Sequence, residues 1–304
     1  MSKILVTGGC GFIGARIVAK LVEENYTVHV IDDLSTGNKD NVDLEKVYLH
    51  VQDINDSEIE DIFRENKFKY VIHQAAQTSV PISITNITMD ARINIQGSIK
   101  LIDLSKKYEV EKIVFASSAA VYGDPQALPI TESAIVNPTS PYGLSKYTVE
   151  KYLQLAYDLY GLDYTVLRYS NVYGPKQTSL GEGGVVSIFN NCLSQNEVPI
   201  IYGDGLQTRD FIYVDDVAEA NLKSLDCTRG IYNISFNNQT TIMEVLKVLN
   251  KLHSKDIAPL FKELRKGDIK NSELSNDLAK KELDWKPQVS LEKGLKKVVG
   301  TNHL

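Results

Sequence analysis

The stretch Thr7-Gly-Gly-Cys-Gly-Phe-Ile-Gly14 lies between an apolar run at residues 3–7 and an amphipathic segment at residues 11–24. Apolar residues recur at helical spacing in the second segment, which predicts a strand, a glycine loop and a helix in that order. Glycines at positions 8, 11 and 14 permit a tight turn, close approach of the backbone to a pyrophosphate and close helix–strand packing. Because the amides at a helix N-terminus favour anions, the stretch predicts a dinucleotide-binding site.

Strand-like and helical segments alternate through the first half of the chain. Strands are predicted at residues 3–7, 27–32, 46–50, 70–74, 112–117 and 164–169. Helices are predicted at residues 11–24, 87–108 and 141–160. Nearly continuous apolar strands in such an alternation indicate a parallel sheet covered on both faces. The predicted fold is therefore α/β, a Rossmann doubly wound parallel sheet with a smaller, interleaved α/β substrate-binding domain.

The pattern becomes irregular after Asn171, where glycine-rich stretches at 181–184 and 202–205 mark loops. Residues 211–222 again have the pattern of the first half, so the chain is predicted to return to the first lobe. We expect a cofactor-binding domain at 1–172, with 211–235 returning to it, and a substrate-binding domain at 173–304.

Composition narrows the classes of function. The net charge is -6 and the isoelectric point about 5.5, which argues against a general nucleic-acid-binding role. No stretch approaches the length and apolarity of a membrane span, and Met1-Ser-Lys3 leads directly into a strand, so neither a membrane role nor a signal peptide is expected. Three widely spaced cysteines and five histidines show no metal-ligand spacing, which favours a reduced, cytoplasmic setting and no metal.

Acidic residues follow the second and third predicted strands. Asp32 lies 18 residues beyond Gly14, near the spacing of the acid that binds an adenosine ribose. A carboxylate there accepts hydrogen bonds from two ribose hydroxyls and repels a 2′-phosphate, which favours NAD over NADP. The alternative is that Asp32 and Asp33 only begin a loop. Asp53 and Ile54, after the third strand, are candidates for contact with the adenine.

Tyr142 and Lys146 lie four residues apart on the predicted helix at 141–160, so their side chains share one face. A free tyrosine has a pKa of about 10, and a neighbouring positive charge lowers it. The pair could therefore transfer a proton. Such spacing also occurs on ordinary solvated helix faces. The pair therefore indicates a catalytic role only if the chain also has a cofactor site and a substrate site.

With these motifs, the chain resembles the extended short-chain dehydrogenase/reductases, namely the sugar-nucleotide epimerase/dehydratase family, and within it the UDP-hexose 4-epimerases. The resemblance extends from the glycine motif to Trp285-Lys-Pro287. It also rests on four further stretches: Phe115-Ala-Ser-Ser-Ala-Ala-Val-Tyr-Gly123, Leu167-Arg-Tyr-Ser-Asn-Val-Tyr-Gly-Pro175, the run from Gly203 to Asp216, and Arg265-Lys-Gly-Asp268.

The resemblance implies a role for individual residues. The implied catalytic residues are Ser118, Tyr142 and Lys146. The implied NAD contacts are Gly8, Gly11, Phe12, Ile13, Gly14, Asp32, Asp33, Asp53, Ile54, Ala75, Ala76, Gln77, Asn94, Tyr142, Lys146 and Tyr169. The implied substrate contacts are Ser118, Tyr142, Asn171, Arg209, Arg265, Asp268 and Ser272. Where several relatives have a lysine just after the Ala75–Gln77 loop, this chain has Thr78, which puts one cofactor contact in doubt.

The activity implied is reversible C4 epimerisation of a UDP-sugar, UDP-glucose or UDP-galactose, through a 4-keto intermediate with tightly bound NAD. The alternatives are a nucleotide-sugar 4,6-dehydratase, a UDP-glucuronate decarboxylase and a non-catalytic nucleotide sensor. Ala119 and Ala120 follow Ser118, where the first two alternatives would have acidic residues, and a sensor would usually lack the Tyr–Lys pair. Ser272, a small residue seven after Arg265, predicts that N-acetylated sugars are also accepted. A homodimer through the segments at 87–108 and 141–160 is expected from relatives.

Overall fold

The structure is a computed structural model that describes residues 2–124, 127–178, 184–264 and 269–300. Its strands are β1 (Lys3–Thr7), β2 (Thr27–Asp32), β3 (Val47–Val51), β4 (Tyr70–His73), β5 (Lys112–Ser118), β6 (Asp163–Tyr169), β7 (Asn171–Tyr173), β8 (Ile200–Tyr202), β9 (Thr208–Arg209), β10 (Phe211–Tyr213), β11 (Gly230–Ile234), β12 (Thr240–Thr241) and β13 (Leu260–Lys262). Its α-helices are α1 (Phe12–Glu23), α2 (Ile59–Asn66), α3 (Val80–Thr85), α4 (Ile87–Asp90), α5 (Gly97–Lys107), α6 (Pro141–Tyr160), α7 (Val185–Ser194), α8 (Val214–Lys223), α9 (Ile242–Leu252), α10 (Asp277–Glu282) and α11 (Leu291–Gly300).

A parallel sheet forms the centre of the molecule. In the described part of the chain it has seven strands in the order β11-β6-β5-β4-β1-β2-β3. Alternate residues of a strand face opposite sides. In β1, Ile4 and Val6 contribute to a core with α1 and α8, while Leu5 contributes to a second core with α2, α5 and α6. The sheet is thus covered by helices on both faces, and the predicted Rossmann fold is confirmed.

The predicted helix at 87–108 is a run of three pieces. α4 is followed by a π-helix at Ala91–Gln96 and then by α5. The prediction missed α2 and α3. α2 has apolar residues at 59, 62 and 63, which is helical spacing over only two turns. α3 is rich in β-branched residues, and its start is fixed by Ser79, whose hydroxyl accepts a hydrogen bond from the Ile82 amide, with a proline in its first turn.

The smaller lobe has a core of its own, in which α7, α9 and α11 pack around β10. Three two-stranded pairs, β10–β7, β12–β9 and β13–β8, border this core. The chain crosses between the lobes, because α8 packs on α1 and β11 is an edge strand of the central sheet. Trp285, which follows α8 and β11 in the chain, donates a hydrogen bond from Nε1 to the Asp216 carbonyl at 2.9 Å. The division into domains at 1–172 with 211–235 and at 173–304 stays a proposal.

The described residues contain no helix long and apolar enough to cross a membrane.

Candidate active site

The glycine loop between β1 and α1 packs too closely for side chains. Gly8 has φ +67°, and a Cβ there would lie 2.7 Å from the Ala75 amide nitrogen. A Cβ on Gly14 would lie 2.0 Å from the Gly8 carbonyl oxygen. Since real contacts of this kind are never so short, only glycine fits at these two positions. The backbone thus forms a cradle at the N-terminus of α1 that fits the pyrophosphate of NAD, with Phe12 and Ile13 in the first turn of the helix.

Asp32 ends β2 beside this loop and is buried. Its two carboxylate oxygens accept hydrogen bonds from the Cys10 amide at 2.8 Å and the Leu34 amide at 2.9 Å. Burial raises the pKa of Asp32, and these hydrogen bonds oppose the rise. Asp33 is exposed and accepts from the Ser35 amide and hydroxyl, so it begins a turn. Only Asp32 of this pair therefore lies against the glycine loop.

Asp53 and Ile54 lie just after the end of β3. The Asp53 carboxylate lies 2.8 Å from the Arg92 guanidinium and accepts from the Asn55 amide at 2.9 Å. Burial opposes ionisation of Asp53, but the bonds from Asn55 and Arg92 lower its pKa below the usual range. Ile54 is buried against Gly97, where a Cβ would lie 2.4 Å from its Cδ1. Contact of these residues with an adenine stays a prediction.

The loop after β4 is fixed by a paired amide contact. The Gln77 amide donates to Asn94 Oδ1, and Asn94 Nδ2 donates to the Gln77 carbonyl, each at 2.9 Å. His73, below the loop, bonds Thr7 Oγ1 at 2.7 Å and Ser98 Oγ at 2.8 Å. Burial, with a contribution from the Lys146 charge, lowers the pKa of His73 to about 3, so the ring is neutral. Ala75, Ala76 and Gln77 are therefore held in place beside Gly8.

Ser118 stands at the end of β5, where the chain turns into a 3₁₀ helix at Ala119–Tyr122. Its hydroxyl accepts a hydrogen bond from the Ala120 amide at 3.2 Å, so it caps this turn as well as facing the cavity described below. A Cβ on Gly143 would lie 2.4 Å from the Ala120 carbonyl oxygen. α6 therefore begins in close contact with the turn, and the Ser118 hydroxyl lies near enough to the Tyr142 side chain to lower the pKa of its phenol.

The first turns of α6 place Tyr142 and Lys146. The helix begins at Pro141, and Ser140 caps it by accepting from the Gly143 amide at 3.1 Å. Both functional side chains are buried, at 9% and 3% exposure. Lys146 Nζ donates to the Ala116 carbonyl at 2.8 Å and lies 5.9 Å from the centre of the Tyr142 ring. The alternative that the pair belongs to a solvated helix face is therefore wrong.

Burial dominates the ionisation of this pair. It raises the pKa of Tyr142 to about 12, although the Ser118 hydroxyl opposes the rise and the Asp90 charge adds to it. Burial lowers the pKa of Lys146 to about 8, with the Asp90 charge opposing the fall. The expected lowering of the Tyr142 pKa by Lys146 is therefore wrong, because desolvation of the phenolate raises this pKa.

A cavity of about 200 Å³ lies in front of Ser118 and Tyr142. The predicted site residues on its wall are Ser118, Tyr142, Tyr169, Asn171, Arg209 and Ser272. Its remaining wall is formed by Val80, Ala119, Ala120, Gly123, Ile130, Ser170, Ile269 and Asn271. Both lobes contribute to this wall, so the structure brings the two groups of predicted residues together. Arg265 and Asp268 lie outside the described residues.

Tyr169 and Asn171 reach this wall from the end of β6 and the start of β7. The Tyr169 hydroxyl accepts from Gln74 Nε2 at 3.1 Å and from Asn221 Nδ2 at 2.8 Å. The Asn171 amide donates to the Asp210 carbonyl at 2.9 Å, next to Arg209. The wall is therefore tied to the main sheet on one side and to β9 and β10 on the other.

Sequence reasoning missed several buried polar residues behind the site. Glu150 and Arg168 form an ion pair at 2.6 Å with side chains 2% and 3% exposed. Asp210 is fully buried and accepts from the amides of Phe236, Asn237 and Leu274. Two signals were available: Glu150 lies four residues beyond Lys146 on the same helix face, and Arg168 interrupts an apolar strand.

The fold and the site together define a class of protein. A parallel sheet with a pyrophosphate cradle, and a buried serine, tyrosine and lysine beside a cavity, are the features of a dinucleotide-dependent short-chain dehydrogenase/reductase. Residues 4–235 match the NAD dependent epimerase/dehydratase family, and the chain belongs to this family. The expected resemblance is therefore confirmed.

Known proteins are similar to this chain over nearly its whole length. A protein of Methanocaldococcus jannaschii, provisionally named UDP-glucose 4-epimerase, is 45% identical over 298 residues, which is 97% of each chain. The structure of the Thermotoga maritima UDP-glucose 4-epimerase with UDP-glucose has a TM-score of 0.97 and 43% identity, covering 99% of this chain and 98% of that one. The UDP-N-acetylglucosamine 4-epimerase of Methanobrevibacter ruminantium, in complex with UDP-N-acetylmuramic acid, has a TM-score of 0.95 and 34% identity, covering 100% and 99%.

Proposed function

We propose that this protein is an NAD-dependent UDP-hexose 4-epimerase that interconverts UDP-glucose and UDP-galactose. One observation carries the proposal: the side chains of Ser118 and Tyr142 line the same cavity as those of Asn171 and Arg209. The first pair suits a reacting sugar hydroxyl, and the second pair suits the diphosphate of a sugar nucleotide. An arginine fork near the sugar site also accounts for an anionic substrate on an acidic protein.

Different residues of the chain have different roles in the oxidation of the sugar at C4. NAD, when bound in the glycine cradle, supplies a hydride acceptor and then a hydride donor. The Tyr142 oxygen takes the proton of the C4 hydroxyl, while the Ser118 hydroxyl can donate or accept as the alcohol becomes a ketone. Positive charge near the phenol must offset the effect of burial on its pKa, and Lys146 supplies part of it while holding the cofactor ribose.

Inversion then requires only that the sugar turns before C4 is reduced again. Asn171 and Arg209 hold the diphosphate at one end, so the nucleotide can stay fixed while the hexose presents its other face. The proton held by Tyr142 returns to the C4 oxygen, and the net redox change is zero. The proposal also gives Arg265 a contact with the phosphate of the nucleotide and Asp268 a contact with its ribose.

The deciding experiment incubates the purified protein with UDP-glucose or UDP-galactose and measures the 4-epimer without added NAD. Product is expected from the wild type and none from Tyr142→Phe. Tyr160→Phe is the matched control, because Tyr160 is exposed at the end of α6 and should keep full turnover. A product of UDP-glucose that has lost its 6-hydroxyl would instead indicate the dehydratase, and release of CO2 from UDP-glucuronate, offered separately, would indicate the decarboxylase. Ala119 and Ala120, on the cavity wall, supply neither with an acid or base.

Ser272 extends the proposal to N-acetylated sugars. It lies on the cavity wall between Asn271 and the buried Leu274, and its side chain is small. We therefore expect both UDP-galactose and UDP-N-acetylgalactosamine to be turned over. Ser272→Tyr should retain the first activity and lose the second, while Ser133→Tyr, a change outside the cavity wall, should retain both. Rejection of the acetylated sugar by the wild type would contradict this part of the proposal.

The proposal includes a homodimer in the cytoplasm. Leu144, Tyr152, Leu155 and Leu159 are exposed apolar side chains at helical spacing along one face of α6. Such a stripe favours a protein contact over exposure to water. Light scattering should give twice the chain mass, and Leu155→Glu should reduce it to the monomer, unlike Val198→Glu on the other lobe. The cytoplasmic setting is supported by the three unpaired cysteines.

A further inference from the structure

Asp90 is a buried carboxylate that the sequence did not single out. It ends α4, is 1% exposed and precedes the π-helix at Ala91–Gln96. Its Oδ1 accepts from Gln77 Nε2 at 2.9 Å and from Asn94 Nδ2 at 3.0 Å. Both donors are neutral amides. They satisfy the oxygen as a hydrogen-bond acceptor but do not balance its charge, and a buried charge is costly without an opposite one nearby.

The opposite charge is on Lys146. Its side chain is almost fully buried, and its hydrogen bond to the Ala116 carbonyl is also to a neutral group. Hydrogen bonds from Asp90 reach α6 one residue before Lys146, because Asn94 Nδ2 also lies 3.2 Å from the Ser145 hydroxyl, and α4 and the π-helix both pack against α6. π-helical segments often occur at functional sites, and this one carries the linking asparagine.

Titratable groups on three elements surround Lys146. They are Asp90 at the end of α4, His73 on β4 and Tyr142 on α6 itself. His73 is neutral, so Asp90 is the described anion that acts on Lys146. The same negative charge disfavours the phenolate of Tyr142. Asp90 therefore favours the protonated form of both residues of the pair.

We propose that Asp90 is a positioning residue for the catalytic pair: its hydrogen bonds hold Gln77 and Asn94, and its buried carboxylate, at the end of a helix packed against α6, is the counter-charge of Lys146. The effect on turnover rests on the proposed function, whereas the pairing of charges does not. Replacing the carboxylate with a neutral group of the same shape should thus move ionisation of both Tyr142 and Lys146 to lower pH.

The first test measures urea unfolding of wild type and Asp90→Asn at pH 6 and pH 9. At pH 6 Lys146 is charged, so the variant lacks its counter-charge, whereas at pH 9 the lysine is neutral in both proteins. The destabilisation by Asp90→Asn should therefore be larger at pH 6, by about tenfold in the unfolding constant for each pH unit by which the variant lowers the Lys146 pKa. Asp216→Asn is the matched control. Asp216 is also buried and accepts from the amides of Gln288 and Val289, so its destabilisation should be equal at the two pH values.

A second pair of variants covers the case in which Asp90→Asn does not fold. Lys146→Met leaves the Asp90 charge without its partner, so adding Asp90→Asn to it should increase stability at pH 7. A pH-independent effect of Asp90→Asn, or a double variant less stable than Lys146→Met, would overturn the pairing.

The pH dependence of turnover tests whether Asp90 acts on the catalytic pair of Tyr142 and Lys146. Both limbs of the pH profile of kcat/KM should move to lower pH in Asp90→Asn, by roughly half to one pH unit, and remain in place in Asp216→Asn. Fixed limbs would overturn the effect on the catalytic pair. An inactive wild type with the pH-dependent unfolding result would refute the epimerase proposal and leave the charge pairing intact.

Discussion

Removal of one partner of the Glu150–Arg168 pair should cost a large part of the stability of this protein. Glu150 accepts from Arg168 Nε at 3.0 Å, from Arg168 Nη2 at 2.6 Å and from the Ser117 hydroxyl at 2.6 Å. Arg168 Nη1 donates to the Tyr122 hydroxyl at 2.9 Å, which in turn donates to Asn233. The network therefore joins α6 to β5, β6 and β11 directly behind the cavity.

The size of the effect follows from burial. Among the described residues, Glu150→Leu leaves a guanidinium that is 3% exposed and whose remaining hydrogen bond is to the Tyr122 hydroxyl. Breaking a buried pair on one side costs about 3–5 kcal/mol, against a total stability of about 5–15 kcal/mol. Arg168→Met should cost a similar amount. Replacing both residues removes both charges, so the double variant should lie within about 2 kcal/mol of the wild type.

Urea unfolding of the wild type, the two single variants and the double variant measures this coupling. The partly exposed pair of Arg16 and Asp215 is the control, since a surface pair contributes about 0–1 kcal/mol. Single variants that each lose less than about 1 kcal/mol, or a double variant as unstable as the sum of the singles, would refute the reasoning.

Three further predictions concern the cofactor site. Gly14→Ala puts a Cβ 2.0 Å from the Gly8 carbonyl oxygen, so NAD affinity measured by calorimetry should fall at least about tenfold, whereas Gly300→Ala, which meets nothing within 4 Å, should leave it unchanged. Asp32→Ala removes the charge that repels a 2′-phosphate, so the ratio of NADP to NAD dissociation constants should fall by about tenfold or more, and an unchanged ratio would assign Asp32 to the loop alone. The third prediction uses the pKa of His73, which is about 3 in the folded protein and near 6.5 unfolded. As the pH falls, the unfolded chain therefore binds a proton at this residue before the folded protein does. Between pH 6.5 and pH 3, His73 should lower the free energy of unfolding by up to about 1.4 kcal/mol per pH unit. In chemical denaturation, the pH dependence of the stability of His73→Gln should be smaller than that of the wild type by this amount.

Strands β1 to β6 of the central sheet were predictable from sequence because most of their residues are buried and read as apolar runs, whereas the edge strand β11 was not predicted. The glycine motif was predictable for a local reason: its spacing follows the geometry of one turn and one helix start. Tyr142 and Lys146 share a helix face by spacing alone, so their proximity did not depend on the rest of the fold.

Other features depended on contacts that sequence spacing does not encode. Asp90 acts on Lys146 across 56 positions of chain, and only the packing of α4 and the π-helix against α6 brings them together. The direction of the Tyr142 pKa shift also needed the structure, because it is set by the burial of the side chain, which the spacing of Tyr142 and Lys146 does not reveal. α3 was missed because β-branched residues favour strands, and a cap with a proline in the first turn overrode that preference.

The order of elements along the chain bears on how the protein acquires its two binding surfaces during synthesis. A growing chain leaves the ribosome N-terminus first, at about 5–20 residues per second. β1 to β6, the glycine cradle, Ser118 and Tyr142 lie within the first 169 residues, but α8, which packs on α1, and β11, the edge strand of the central sheet, follow Arg209, and Ser272 emerges later still. We therefore expect the nascent chain to complete its NAD-binding lobe only once β11 has emerged, which is still before Ser272, so NAD can bind before the sugar pocket is complete and serve as a template on which the rest of the protein folds.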